Sequence, residues 1–187
     1  METWDQALYD RALDLAARKH AGQTRIGGLP YITHPISVAR IVWENGGGMD
    51  AVVVALFHDL LEDTDVTEEE IFDIGGGSVL EAVRLLTKHK GYVMADYVGS
   101  IRKNPVAFAV KGADRLHNLQ CAVCTNDSFK RRYILESVDW YMDFMPAIPL
   151  AVKNLAESMD DSLLQDLPVD YQSIASQVVR RYKNKGE

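Results

Sequence analysis

Ala51-Val52-Val53-Val54-Ala55-Leu56-Phe57-His58-Asp59-Leu60-Leu61-Glu62-Asp63 begins as an unbroken apolar run and ends in one imidazole and three carboxylates. The run contains neither glycine nor proline and reads as a hydrophobic helix. Charge at the end of such a helix is costly to bury unless it is paired or metal-bound. On a helix His58 and Glu62 lie one turn apart, as do Asp59 and Asp63. The segment therefore offers two neighbouring pairs of polar groups at the end of a rigid apolar rod. It is read as His58 and Asp59 binding a metal, with Glu62 and Asp63 handling water or protons beside it.

Outward from this segment, the chain repeats helical signals. Asp50 reads as the N-cap of the apolar helix. Before it, Ile36, Val38, Ala39, Ile41, Val42 and Trp43 carry a helix from Thr33 or His34 to the stop at Gly46-Gly47-Gly48, with Pro35 tolerated in its first turn. Residues 4 to 20 form an amphipathic pattern through Trp4, Leu8, Ala12, Leu15 and Ala16. Thr24 to Pro30 is a loop with turn chemistry. After the segment, Thr67 and Glu70 form a capping box for a short helix to about Phe72, which Gly75-Gly76-Gly77 breaks and Ser78 restarts. Residues 92–102 and 105–124 read as helical, then a helix through Met142, another to about Met159, and a last one from Tyr171 to Tyr182. No alternating strand pattern or repeat competes, so the expected fold is all-α in one domain over residues 1–187.

The composition excludes several function classes. With 187 residues, 47% apolar and 25% charged, the chain is an ordinary globular one, large enough for a substantial core. A net charge of -7 leaves no global basic footprint for a nucleic-acid polymer, although a small anionic substrate can still be held locally. No leader pattern opens the sequence and no apolar run approaches the roughly 20 residues of a membrane span, so a cytoplasmic protein without a membrane partner is expected. The glycine triplets match neither a dinucleotide fingerprint nor a P-loop. Cys121 and Cys124 lack the further ligands of a zinc knuckle and the βαβ setting of a redox motif, and read as packed or half-exposed thiols.

Two further places offer ligands. His34 stands before Pro35 at a helix start, and Asp114 follows a second apolar run, sharing a helix face with Lys111 and Asn118. Singly, each residue has a plainer reading: a hydrogen-bonded histidine, a helix cap, a solvated acidic turn. Together they supply two imidazoles and two carboxylates, a mixed set that suits Mn²⁺, Fe²⁺ or Zn²⁺ in an open catalytic site.

His34, the adjacent His58-Asp59 and the distant Asp114 resemble the H…HD…D signature of HD-domain metal-dependent phosphohydrolases. Five ordered segments resemble, more narrowly, the hydrolase domain of the RelA/SpoT family of alarmone enzymes. They are His20-Ala21-Gly22-Gln23-Thr24-Arg25, Pro30-Tyr31-Ile32-Thr33-His34-Pro35, His58 to Asp63, Leu86-Thr87-Lys88, and Lys111 to Asn118, within residues 7–145. The resemblance implies a single HD-domain helical bundle, with residues 146–187 as C-terminal helices. Because the chain stops where a synthetase domain would begin, it also implies a stand-alone small alarmone hydrolase like the metazoan SpoT homologues.

It further implies that His34, His58, Asp59 and Asp114 bind one Mn²⁺, or another divalent transition metal. Glu62 and Asp63 match the carboxylate pair that positions or deprotonates the attacking water. Arg25 matches an arginine that contacts substrate phosphate, Asn118 an asparagine of the nucleoside pocket, and Tyr133 a residue that touches the nucleotide. Lys111 is a candidate for added positive charge, with a structural partnership to a carboxylate as the alternative. His20 and His117 are expected to hydrogen-bond within the fold. The implied reaction takes the 3′-pyrophosphate from the guanine nucleotides ppGpp or pppGpp. The chain departs from the family pattern at Ile26, where a lysine is usual, and at Gln120 and Cys121, where an arginine and a threonine often follow. Both departures fall in substrate-facing segments and leave open another phosphorylated nucleotide (NADPH or a nucleoside 5′-phosphate) or a non-catalytic nucleotide-binding module. Oligomeric state stays open.

Overall fold

A helix that is apolar on every side has to be enclosed on every side. That is the situation of α3 (Met49–Phe57), where Val52 through Phe57 are all 0% exposed. Around it pack α1 (Gln6–Lys19), α2 (Thr33–Glu44) and α5 (Glu68–Leu86). Each turns its own apolar stripe inward: Ala12, Leu15 and Ala16 from α1, Val38, Ala39 and Val42 from α2, Val79, Ala82 and Val83 from α5. The computed structural model describes residues 3–25 and 27–159. Among these are nine helices and no strand, apart from one isolated antiparallel bridge between Thr24 and Pro30. The all-α expectation holds. Ile26 and the helix expected from Tyr171 to Tyr182 lie outside the described residues.

Several helix ends follow the capping chemistry written in the sequence. Asp5 accepts from the Leu8 N–H at the start of α1, and Thr67 and Glu70 complete a reciprocal capping box at the start of α5. Asp50 does not cap α3. Gly48 occupies the N-cap in an extended conformation, and Asp50 lies in the first turn, where its carboxylate accepts from the Ser78 hydroxyl at 2.9 Å. Ser78 is thereby used to tie α5 to α3 rather than to restart a helix. The Gly75-Gly76-Gly77 break is confined to Gly76, whose φ of 73° and ψ of -170° belong to a region essentially reserved for glycine. The helix resumes immediately and runs on to Leu86.

The helix of the apolar segment also stops earlier than the apolar pattern suggests. α3 ends at Phe57, and α4 (Leu60–Asp63) is a separate single turn. Between them Asp59 has φ -102° and ψ -4°, and its carbonyl accepts from both Glu62 N and Asp63 N. Neighbouring residues on an uninterrupted helix point about 100° apart. The change of direction lets His58 and Asp59 aim at one point.

Two compact units divide the described residues, one ending at Asp114 and one starting at Arg115. The first also holds α6 (Met94–Ile101) and the beginning of α7 (Pro105–Ala122), where Asn104 Oδ1 accepts from Ala107 N and Pro105 occupies the first helical position. The second contains α8 (Asp127–Trp140) packed on α9 (Ile148–Glu157). Asn126 caps α8 through Phe129 N. The buried Arg115 pairs with Glu136 and lies 4.3 Å from the ring centroid of the fully buried Tyr141. No helix of the described residues is long and apolar enough to cross a membrane.

Candidate metal centre

Three helices of the first unit bring four side chains to one place. His34 comes from the first turn of α2, His58 and Asp59 from the break after α3, and Asp114 from α7. His34, His58 and Asp114 are buried. The Nε2 atoms of the two imidazoles face each other at 3.2 Å. Asp114 Oδ1 is 3.1 Å from His34 Nε2 and 3.7 Å from His58 Nε2. Asp59 Oδ2 is 3.1 Å from His58 Nε2 and 3.7 Å from His34 Nε2. The four residues expected as ligands are thus brought together, and His34, His58 and Asp59 each offer one ligand-type atom within 4.8 Å of the others.

The donor chemistry fits a divalent cation. His58 Nδ1–H donates to the Ala55 carbonyl at 2.7 Å, which leaves Nε2 as the lone-pair nitrogen of the neutral ring. Two imidazole nitrogens and two carboxylate oxygens then converge on a buried point that requires positive charge. Neighbouring ligands that each sit about 2.1 Å from one ion lie about 3 Å apart, the spacing of the shorter contacts here. The electrostatics express the same demand. Burial disfavours the His58 imidazolium, but the charge of Asp59 and bonds to both aspartates outweigh it and push its pKa up to about 10. Burial, and secondarily the neighbouring His58 charge, hold His34 below its ordinary value. Burial works to raise both Asp59 and Asp114; His58 for the first and Lys111 with the two imidazoles for the second hold them well below the usual carboxylate range.

Tyr31 donates to Asp59 Oδ2 at 2.6 Å, and Lys111 Nζ donates to Asp114 Oδ2 at 2.9 Å. Each carboxylate of the cluster is therefore anchored by a donor outside it. Burial, followed by the charge of Asp59, pushes the Tyr31 hydroxyl far up, so it stays a donor. Its ring packs on His20 with centroids 4.6 Å apart. His20 Nδ1–H in turn donates to Gln23 Oε1, and Gln23 Nε2 donates to the main-chain carbonyl of Asp63. Sequence reasoning gives Tyr31 and Gln23 no role of their own. Their one signal is membership of the quoted motifs, since neither carries periodic or ligand-type information.

Glu62 and Asp63 follow as the exposed residues of the turn α4, whose Leu60 is buried in the core. Glu62 Oε2 accepts from the Lys88 N–H at 3.0 Å, so the Leu86-Thr87-Lys88 motif serves to hold this carboxylate. Partial burial, then the charges of Asp59 and Glu62, raise the Asp63 carboxyl above its ordinary value. Arg25 lies half-buried in the loop closed by the Thr24–Pro30 bridge, its main chain paired with Leu29. Asn118 is half-buried on α7 in the second unit, as is Tyr133 on α8, where the Tyr133 ring stacks on Phe129 at 4.6 Å. His117 Nε2 is 3.7 Å from Cys121 Sγ, and both cysteines are free thiols.

An all-helical fold with a two-histidine, two-aspartate cluster defines a helical domain with a candidate metal centre, and sequence comparison narrows this. The HD-domain family profile matches residues 12–145. Human guanosine-3′,5′-bis(diphosphate) 3′-pyrophosphohydrolase MESH1 is 34% identical over 158 residues, 79% of this chain and 88% of the human protein. The protein of the same descriptive name from Aquifex aeolicus is 30% identical over 186 residues, 95% of this chain but 26% of that protein. A probable GTP pyrophosphokinase of Mycobacterium leprae is 34% identical over 123 residues, 61% of this chain and 16% of that protein. The chain thus spans about a quarter or less of these bacterial relatives. A solved structure described as a metazoan orthologue of SpoT that hydrolyses ppGpp shares the fold, with TM-score 0.65, 24% identity, and coverage of 83% of this chain and 97% of that one. The chain belongs to the HD-domain family, in its RelA/SpoT-type branch.

Proposed function

We propose that the protein is a metal-dependent phosphohydrolase that removes the 3′-pyrophosphate of ppGpp or pppGpp, giving GDP or GTP and pyrophosphate. The observation that carries this reading is the convergence of His34 and Asp114 on His58 and Asp59, at the break that is followed directly by the turn bearing Glu62 and Asp63. The names of relatives that share most of the domain support the choice of nucleotide.

His34, His58, Asp59 and Asp114 would hold one ion, with Mn²⁺ as the proposed occupant. When bound, such an ion lowers the pKa of water toward neutrality and offsets charge on phosphoryl oxygens. Glu62, held by the Lys88 N–H, accepts the proton of the attacking water. Asp63, whose carboxyl is raised, orients that water through a hydrogen bond and is the candidate for returning a proton. The water oxygen joins the proximal phosphorus, the bond from that phosphorus to O3′ breaks, and a proton goes to O3′. Arg25 supplies a planar fork for phosphate oxygens. Lys111 acts on the site through Asp114, while Asn118 and Tyr133 are proposed to receive the nucleoside. The working unit is proposed to be one catalytic domain acting in the cytoplasm on a free nucleotide.

The test is to incubate the Mn²⁺-loaded protein with ppGpp and follow GDP and pyrophosphate. Intact ppGpp with the metal confirmed bound would contradict the assignment. Ile26 and Gln120 motivate a panel that includes NADPH and nucleoside 5′-phosphates. Equal turnover across the panel would favour a broader phosphohydrolase. Unchanged turnover in Glu62→Ala would remove Glu62 from the mechanism.

A further inference from the structure

Lys88 holds Glu62 with its main chain, and its side chain points to a separate role. The ammonium lies 5.3 Å from the ring centroid of Tyr92 and 5.5 Å from that of Tyr97. Lys111 Nζ lies 5.8 Å from the same Tyr97 ring. Tyr97 is buried, and its hydroxyl donates to the Leu86 carbonyl at 2.8 Å. The ring is therefore a fixed aromatic neighbour shared by two ammonium groups. They differ in what neutralises them. Lys111 has Asp114, whereas the Lys88 ammonium pairs with no carboxylate among the described residues.

An aromatic face attracts an ammonium but leaves N–H donors free for an anion. A lysine restrained in this way loses less side-chain freedom on binding than one extended into water. The next residues, His89 and Lys90, are exposed, so the turn is locally basic in a chain of net charge -7. An uncompensated, restrained cation on the turn that holds a water-handling carboxylate is suited to an anionic part of the substrate that does not react.

We propose that Lys88 is a substrate-binding residue that holds the outer phosphoryl group of a pyrophosphate, and so favours pyrophosphate over single phosphate esters at this site. This rests on the phosphohydrolase reading above. Because Glu62 is held by the main chain of Lys88, changing the side chain leaves that hydrogen bond available.

The experiment uses full-length Mn²⁺-loaded protein, wild type, Lys88→Gln and Lys88→Arg, with metal content and thermal melting checked for each. Lys88→Gln is expected to raise KM for ppGpp roughly tenfold to a hundredfold, the range of a lost hydrogen bond to a charged group, while kcat changes far less. Lys88→Arg is expected to recover most of the loss. In calorimetry, inorganic pyrophosphate should weaken by a similar factor in Lys88→Gln, and inorganic phosphate should not. The proposal is overturned by a fall in kcat at unchanged KM, by equal weakening of phosphate and pyrophosphate, or by wild-type protein that binds no pyrophosphate. Lys88-dependent pyrophosphate binding by a protein that leaves ppGpp intact would refute the nucleotide assignment and keep the role of Lys88.

Discussion

Replacing Lys111 with methionine keeps the bulk of the stem but removes the ammonium that lies 2.9 Å from Asp114 Oδ2. Removing one partner of a buried ion pair costs about 3–5 kcal/mol, because the remaining charge is stranded. Lys111 and Asp114 keep 12% and 9% side-chain exposure, and His34 remains 3.1 Å from the other Asp114 oxygen. The expected loss for the metal-free protein is therefore at the lower end, about 3 kcal/mol. In a chain of this size that corresponds to a melting temperature about 6–12 °C lower. A divalent ion replaces the missing positive charge, so saturating Mn²⁺ should shrink the deficit by at least half. Circular-dichroism melts of wild type and Lys111→Met, each with chelator and with Mn²⁺, measure both quantities. A deficit under about 1 kcal/mol without metal, which is the worth of an exposed pair, would refute the view that Lys111 balances Asp114. So would a deficit that metal leaves unchanged.

Tyr31→Phe should keep the fold but weaken metal affinity about tenfold to a hundredfold, because Asp59 loses its outer hydrogen bond; competition with a metallochromic chelator reads this directly. Leu56→Ala, at a position 0% exposed in α3, should destabilise by about 2–5 kcal/mol in chemical denaturation, whether or not metal is present. Gly76→Ala should cost about 1–3 kcal/mol in the same assay despite open space around a Cβ there, since the strain lies in the backbone.

The helix content was legible because apolar residues keep helical spacing in α1 and α2, because α7 opens on a long apolar run, and because Thr67 with Glu70 announces the start of α5 by its chemistry. The ligands were legible because histidine and aspartate are costly beside apolar runs. The break between Phe57 and Leu60 was not, since an all-apolar helix shows no period that marks its end. Asp50 misled as a cap because its competing partner, the Ser78 hydroxyl, is 28 residues away. The same distance in sequence hid Tyr31 behind Asp59 and the Lys88 N–H behind Glu62, which are 28 and 26 residues apart. Interactions between remote residues leave no local pattern.

The central claim is that His34, His58, Asp59 and Asp114 together form one metal site. Its most direct measurement is the metal content of protein equilibrated with Mn²⁺ and freed of excess ion, for wild type and for Asp114→Asn and His58→Gln. Wild type is expected to retain one ion per chain and both variants far less, with folding confirmed by circular dichroism. A wild-type protein that retains no ion, or variants that retain the full complement, would contradict it.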